Sequence, residues 1–406
     1  MKLDADGNVH LTYCSNIHAG ESWAEVRANL ENYLPRAKAA LVPNDPFGIG
    51  LRLSALAANE LADETALSDF KTFLALRNLY VFTLNGFPYG EFHGTPVKEN
   101  VYLPDWRDEA RLVYSNQLAD ILAAILPDGM DGSISTVPGA FKALVVSDND
   151  IAEITENLVR HTAHLIDIHQ RTGKLISLTL EPEPCCFIET IDESVAFFND
   201  WLFAPAARHL LMTMTSLDAD AADAALRRHL GLCLDLCHAA VEFEEAGEAV
   251  NKLQSAGINV GKMQISAGLR FAPVSDRTME LLQPFDDAVY LHQTVAKQNG
   301  ALTRHVDLKQ AFASHAAGGP GAGADEWRVH FHVPIFLDDL GEFSTTQNFI
   351  REILAIHRDN PISGHLEVET YTWDVLPAEY RDVDVVDAIV RELNWVRQQL
   401  SVPGRD

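Results

Sequence analysis

The chain has 406 residues, 47% of them hydrophobic, enough to bury one large core or two smaller ones. Acidic side chains outnumber basic ones 58 to 31, a formal charge of −27, so the average surface repels nucleic acid and anionic membranes, and no Lys/Arg run offers a basic groove. No window approaches the roughly 18 apolar residues of a spanning helix, the opening Met1-Lys2-Leu3-Asp4 lacks the apolar stretch of a secretion signal, and most of the cysteines at 14, 185, 186, 233 and 237 sit inside apolar runs, so an uncleaved cytoplasmic protein with reduced thiols is expected.

Short apolar runs rich in β-branched residues recur, each followed by a segment of helical period, the pattern of βα units around a parallel sheet. The predicted strands span residues 10–15, 48–53, 79–84, 133–137, 175–180, 232–235, 261–265 and 366–370. Ser22-x-x-Glu25 reads as a capping box opening a helix with Val26, Leu30 and Leu34 on one face. Leu112, Leu118, Ile121, Leu122 and Ile125 form another such face, Ile151, Ile154, Leu158, Leu165 and Ile168 a third, and a last helix runs from about 383 to 400. Eight strands alternating with helices predict a single (β/α)8 TIM barrel covering residues 1–406, a length such barrels reach when their loops are long. Two interruptions, at 85–106 after the third strand and about 267–339 after the seventh, have the length of lids or binding loops. Within the second, the Gly/Ala-rich residues from about 315 to 325 have little to bury and are expected to be mobile, and strand-like pattern resumes at Trp327.

In such a barrel the C-terminal ends of the strands face the active site, so polar residues there carry the functional reading. Gly231-Leu-Cys-Leu-Asp-Leu-Cys-His238 ends a strand in Asp235-x-x-His238, a carboxylate and an imidazole able to reach one metal. Taken alone, it equally describes an aspartate capping the next helix and a first-turn histidine. Leu178-Thr-Leu-Glu-Pro-Glu-Pro184 runs another strand into Glu181 and Glu183, where a buried carboxylate needs a partner or a cation. Gly364-His-Leu-Glu-Val-Glu-Thr370 puts Glu367 and Glu369 on one side of the last strand, one suited to a salt bridge with an arginine and Glu369, nearer the strand end, suited to metal. A register slip of two would exchange Glu181 with Glu183 or Glu367 with Glu369. Gln264 lies near the end of the seventh strand, and His330-Phe-His332 sets two imidazoles on one face. Asn85-Gly-Phe-Pro-Tyr-Gly-Glu-Phe-His93 brings aromatics to the same mouth. His18, Arg52 and His93 are the candidates for orienting a substrate, although each also suits a structural role.

These stretches resemble the xylose isomerase-like (sugar phosphate isomerase/epimerase) barrel superfamily. Asp235-x-x-His238 and Leu180-Glu181 are similar to the Asp-x-x-His strand and the metal-bridging glutamate strand of its zinc-dependent apurinic endonucleases and their epimerase relatives. Glu369-Thr370 resembles their closing glutamate, and Arg328-Val-His-Phe-His332 a histidine-bearing loop before the last strand. The motif order from about Leu11 to beyond Trp373, including Thr12-Tyr-Cys-Ser-Asn-Ile-His-Ala-Gly-Glu-Ser-Trp23 and Gly48-Ile-Gly-Leu-Arg-Leu-Ser54, is more closely similar to the EboE-type metabolite-traffic proteins. The resemblance implies metal ligands at Glu181, Asp235, Gln264 and Glu369, with His238 and His332 as further ligands or acid/base groups. The chain departs from the endonuclease pattern where Ser135 to Pro138 and Gln264 stand in place of histidines, so one or two ions fit the ligand count better than three. Oxygen-rich ligation suits Mn²⁺ or Mg²⁺, and recruitment of His238 and His332 suits Zn²⁺ or Fe²⁺.

The implied function is a metal-dependent isomerase or epimerase of a small polyol-like, sugar-like or ketone-bearing precursor in bacterial secondary metabolism. Glu181, Glu369 and His238 are its candidates for proton transfer, and the metal stabilises an enediolate. Two alternatives stay open. One is a hydrolase of the endonuclease branch, for which the net charge disfavours DNA; the other is a non-catalytic carrier or scaffold that hands an intermediate to a membrane-bound biosynthetic partner.

Overall fold

The computed structural model describes residues 1–3, 8–90, 98–286, 290–372 and 383–401. Its strands are β1 (His10–Tyr13), β2 (Phe47–Arg52), β3 (Leu79–Asn85), β4 (Gly132–Thr136), β5 (Ile176–Leu180), β6 (Leu230–Asp235), β7 (Asn259–Ile265), β8 (Ala267–Phe271), β9 (Thr294–Gln298), β10 (Ala301–His305), β11 (Glu326–Val333), β12 (Ser344–Thr345) and β13 (His365–Val368). β1 to β7 and β13 form one parallel sheet in the order β1-β13-β7-β6-β5-β4-β3-β2, the strands and the architecture that the apolar runs predict. Apart from Asn259 and Gly261, every residue of these eight strands is buried, which is why they read as continuous apolar runs and not as alternating ones.

The sheet closes between β1 and β2 through a parallel bridge from Cys14 to Gly50. Side chains complete the seam: Thr12 Oγ1 donates to Gly48 O at 2.8 Å, and Arg52 N to Ser15 Oγ at 2.9 Å. Glycine at 50 is a steric requirement, because a Cβ there would stand 1.9 Å from Glu367 Oε2. The space lets Glu367 cross the interior to an ion pair with Lys262 Nζ at 2.7 Å, both side chains fully buried, while the ammonium also donates to Ser135 Oγ at 3.2 Å.

Helices cover the barrel as their apolar faces require. The first, Trp23–Leu41, opens on the Ser22/Glu25 capping box; Glu109–Ile125 and Asp148–Thr172 follow, the latter ended by Gly173 at φ 70°, and Val385–Leu400 comes last. No described helix is long and apolar enough to cross a membrane.

The interruption after β7 is a structured insertion. Its strands form a second, antiparallel sheet in the order β10-β9-β11-β8-β12, and its apolar residues join the barrel's in one buried cluster that includes Leu269, Trp327 and Phe331. Asn299 and Gly300, both at positive φ, turn β9 into β10. Residues 315–325 lie in the end of a helix and a run of turns, with Gly318, Gly321 and Gly323 at positive φ. Gln298 Nε2 reaches the carbonyl of Gly323 at 3.1 Å, and Asp325 N that of Lys297 at 2.8 Å. β11 pairs with β8 in register to Val329 and again only at Val333, so His330, Phe331 and His332 occupy an irregularity, from which His330 and His332 reach the cavity at the barrel mouth while Phe331 packs in the core.

Candidate metal centre

Three barrel strands deliver carboxylates to one place. Asp235 is the last residue of β6, and Glu181 and Glu369 directly follow β5 and β13; oxygens of all three lie within 4.8 Å of one another, and all are buried. Asp235 unites the two readings of its motif. Its Oδ1 caps the next helix, accepting from Cys237 N at 2.8 Å, His238 N at 3.1 Å and Ser266 Oγ at 2.6 Å. Its Oδ2 is buried with no hydrogen-bond partner, as is Glu181 Oε2. Glu369 Oε1 accepts from Asn16 Nδ2 at 2.7 Å and Asn85 Nδ2 at 2.9 Å. Burial first, then neighbouring carboxylate charges, push Glu181 and Glu369 well above the ordinary glutamate range, the expected cost of gathering anions without a cation among them.

Beside this trio, three imidazoles converge. The Nε2 atoms of His238 and His330 are 3.0 Å apart, those of His330 and His332 3.0 Å, and those of His332 and His238 3.4 Å. Each ring's Nδ1 faces an acceptor: Pro182 O at 3.0 Å for His238, Gln293 Oε1 at 2.8 Å for His330 and Glu369 O at 3.1 Å for His332. An acceptor takes the Nδ1 proton, so every Nε2 presents a lone pair. Burial first, and for His238 and His330 then the neighbouring imidazoles, push these histidines below the ordinary range and keep them neutral, as metal ligands must be.

Three lone pairs aimed at one point repel unless a cation lies between them. Ligand nitrogens about 2.1 Å from a metal stand about 3.0 to 3.4 Å apart in octahedral or tetrahedral arrangements, and the observed separations fall in that span. Asp235 links the two groups, since its carboxylate also belongs with His238 and His332 in a set of ligand atoms within 4.8 Å. The residues present therefore fit a divalent ion at the oxygen group and another at the nitrogen group.

Glu181, Glu183, Glu369 and the three histidines line a cavity of about 550 Å³, counted out to solvent, whose other walls include Phe87, Val101, Tyr102, Leu291 and Tyr371. Glu183 accepts from Tyr102 OH at 2.8 Å and Gln293 Nε2 at 3.0 Å. Lys98 reaches the rim and donates to Asp307 Oδ2 at 2.6 Å and Tyr290 O at 2.8 Å. A larger hollow opens at the opposite end of the barrel, beside His10 and His365, where conserved features of this architecture serve stability and not chemistry.

The remaining sequence candidates lie elsewhere. His18 stacks on Tyr33 with ring centroids 3.9 Å apart, and Arg52 donates to Gly20 O and Gly90 O and pairs with Glu21; both line a separate small hollow. His93 lies outside the described residues. Gln264, by contrast, is buried beside the carboxylates in register with Asp235, its Oε1 accepting from Cys233 Sγ at 2.9 Å and its Nε2 without a partner; like Asp235 it does not line the cavity. Glu367 has a lysine partner where an arginine was expected. Sequence reasoning named His330 in its His-x-His pair without making it a ligand, and did not single out Asn16, in the 3-10 turn after β1, or Asn85, the last residue of β3. Tyr102 and Gln293 come from long connections and had no local signal.

No protein-family model matches the sequence, and no curated protein matches it. Among solved structures the chain is similar to the IolI protein with a binding zinc atom, at 13% identity, covering 97% of this chain and 98% of that one with a TM-score of 0.45. It is also similar to a xylose isomerase-like TIM barrel protein from Mycobacterium smegmatis in complex with magnesium, at 13% identity over 97% of this chain and 96% of that one, TM-score 0.47. A D-tagatose 3-epimerase-like protein matches at 12% identity over 97% and 100%, TM-score 0.47. Likeness at this level adds no chemistry to what the site itself displays. The chain is a (β/α)8 barrel, and a xylose isomerase-like TIM barrel protein is among the solved structures it is similar to.

Proposed function

We propose that the chain is a metal-dependent enzyme that moves a proton on a small oxygen-bearing metabolite, an isomerase or epimerase. The observation that carries this reading is the meeting, beside one cavity, of two buried carboxylate oxygens without partners and three converging imidazole lone pairs. Glu181, Asp235 and Glu369 would hold one divalent ion through oxygen, of the Mn²⁺ or Mg²⁺ kind, and His238, His330 and His332 a second through nitrogen, of the Zn²⁺ or Fe²⁺ kind. Charge supports a cation: among the described residues Glu181, Glu367 and Glu369 share one buried ammonium, that of Lys262.

A cation bound there supplies a Lewis acid beside the substrate's oxygens. Proton transfer falls to the chain's own groups. Glu181 lines the cavity with one oxygen lacking a partner and is placed to take a proton from carbon; Glu369, fixed in orientation by Asn16 and Asn85, or the His238 imidazole, is placed to return one. Phe87, Val101, Leu291 and Tyr371 exclude water from the walls.

Among the described lining residues Lys98 is the one fixed cation, and Asp307 already engages it. That leaves no basic clamp free among them and supports a polyol- or ketone-like substrate held at its oxygens; two bound ions would also hold a phosphoester, so the hydrolase stays the alternative. The motif order from Leu11 to Trp373 supports a place in metabolite processing or traffic of the EboE type. The test is solvent exchange: the metal-loaded protein is incubated with small hydroxyketones and ketoses in D₂O, and deuterium at the carbon beside the carbonyl is followed by NMR. Incorporation that is lost in Glu181→Gln supports the proposal. Binding without exchange would replace it with the carrier reading.

A further inference from the structure

The three imidazoles offer lone pairs to one point only while each keeps its proton on the other ring nitrogen. For His238 and His332 the main chain sees to this, through Pro182 O and Glu369 O, and no side-chain substitution removes a carbonyl. His330 is different: its Nδ1 faces side chains, the amide oxygen of Gln293 at 2.8 Å and, farther off at 3.5 Å, Glu183 Oε1.

A glutamine amide can be placed either way round, and here the far end decides. Gln293 Nε2 lies 3.0 Å from Glu183 Oε1, 3.2 Å from Pro184 O and 2.9 Å from Tyr102 OH. The Pro184 carbonyl only accepts, and Tyr102 directs its own hydroxyl proton to Glu183 at 2.8 Å. The reversed amide would set oxygen against these acceptors and NH₂ against His330, so Oε1 must face His330. The same residue fixes the backbone as well, because His330 N donates to Gln293 O at 2.9 Å. Gln293 is 1% exposed, so water cannot substitute for it.

We propose that Gln293 is the positioning residue that makes His330 a metal ligand, by passing the acceptor environment of Glu183 and Pro184 through its amide to fix the Nδ1–H tautomer of the ring. The proposal rests on the metal-holding reading of the triad. Without the amide oxygen, Nδ1 is left with Glu183 Oε1 at 3.5 Å, too far for a good hydrogen bond and already accepting from Tyr102, so the His330 proton moves to Nε2 and donates to His238 or His332 Nε2, each 3.0 Å away. That hydrogen bond satisfies the triad without a cation and competes with metal. Gln293 thus holds the three rings in an arrangement that only a cation completes.

The test is ¹⁵N NMR of the imidazoles in the metal-free protein, paired with zinc titration, for wild type, Gln293→Met and Gln293→Glu. Methionine keeps the shape and removes the acceptor; glutamate keeps the acceptor. The expected result is His330 protonated at Nδ1 in wild type and Gln293→Glu and at Nε2 in Gln293→Met, with zinc affinity of the methionine variant reduced roughly 10- to 100-fold and Mn²⁺ binding unchanged. His330 protonated at Nε2 in wild type would overturn the proposal, as would a methionine variant with the wild-type tautomer and affinity. Should Gln293→Met fail to fold, the wild-type and Gln293→Glu spectra decide. Tautomers that differ as expected while no variant takes up zinc would defeat the metal reading and leave the positioning role standing.

Discussion

The two halves of the candidate centre are built by different means. The oxygen half is the barrel's own: Glu181, Asp235 and Glu369 each end a parallel strand whose register is fixed by two neighbours. The nitrogen half borrows His330 and His332 from an irregularity in the inserted sheet and joins them to His238 in the short helix after β6. The barrel half gathers charge and leaves two oxygens without partners. The inserted half satisfies every Nδ1 and leaves only lone pairs. Both are incomplete without a cation, yet one is incomplete through electrostatics and the other through tautomer choice, so they should respond to different perturbations.

The largest expected effect lies beneath the oxygen half. Lys262→Met strands Glu367 in the interior without its ammonium and should cost about 3 to 5 kcal/mol of stability in urea unfolding. A loss below about 1 kcal/mol would mean that the Lys262–Glu367 pair contributes nothing net to the fold. Next, His332→Ala should weaken zinc binding by more than the roughly 100-fold that losing a supporting contact costs, while Mn²⁺ uptake persists. Equal loss of both metals in equilibrium dialysis would erase the distinction between the halves.

A smaller, pH-dependent effect is expected where the halves are tied together. Glu392 accepts from Thr370 Oγ1 at 2.7 Å and Ile335 N at 3.2 Å, joining the end of β13 to the segment after β11. Burial raises it to about 7, with those hydrogen bonds pulling the other way. Its folded value lies above its ordinary 4.5, so the folded state holds the extra proton between those limits. Its contribution is fully present below pH 4.5 and is lost as pH rises through 7. Glu392→Gln should remove about 1 to 3 kcal/mol of that decline in stability curves taken at pH 5 and pH 8. Parallel curves for the two proteins would show that Glu392 is ionised in the fold.

The smallest effect belongs to the inserted sheet alone. Gly300 turns the β9–β10 hairpin at φ 84° with open space where a Cβ would stand, so Gly300→Ala should cost only the backbone conformation, about 1 kcal/mol in urea unfolding. No measurable cost would mean the hairpin is not part of the cooperative unit.

The same contrast explains what the sequence made legible. Strands buried on both faces stand out as apolar runs, and carboxylates at their ends are conspicuous because buried charge needs a partner: Glu181 reads on that ground, Asp235 from its spacing to His238, and Glu369 from its place at the strand end. Apart from the strand pattern at Trp327, the inserted sheet reads as a long loop because strands such as Ala301–His305 are partly exposed and mix polar with apolar residues, although Asn299-Gly300 is a strong hairpin signal. His330 was visible in its spacing with His332, but its role depends on Gln293, thirty-seven positions away, and no local pattern announces that contact. The partner of Glu367 is in the same position: Lys262 sits on the adjacent strand, across a gap that Gly50 keeps open.

The most direct test of the central claim is the number of metal ions per chain. Mass spectrometric metal analysis after loading with Mn²⁺ and Zn²⁺ and dialysis should give two ions in wild type, one in His332→Ala and none in Asp235→Ala, because both halves share Asp235. No retained metal in the wild type, or the same count in all three proteins, would contradict the account.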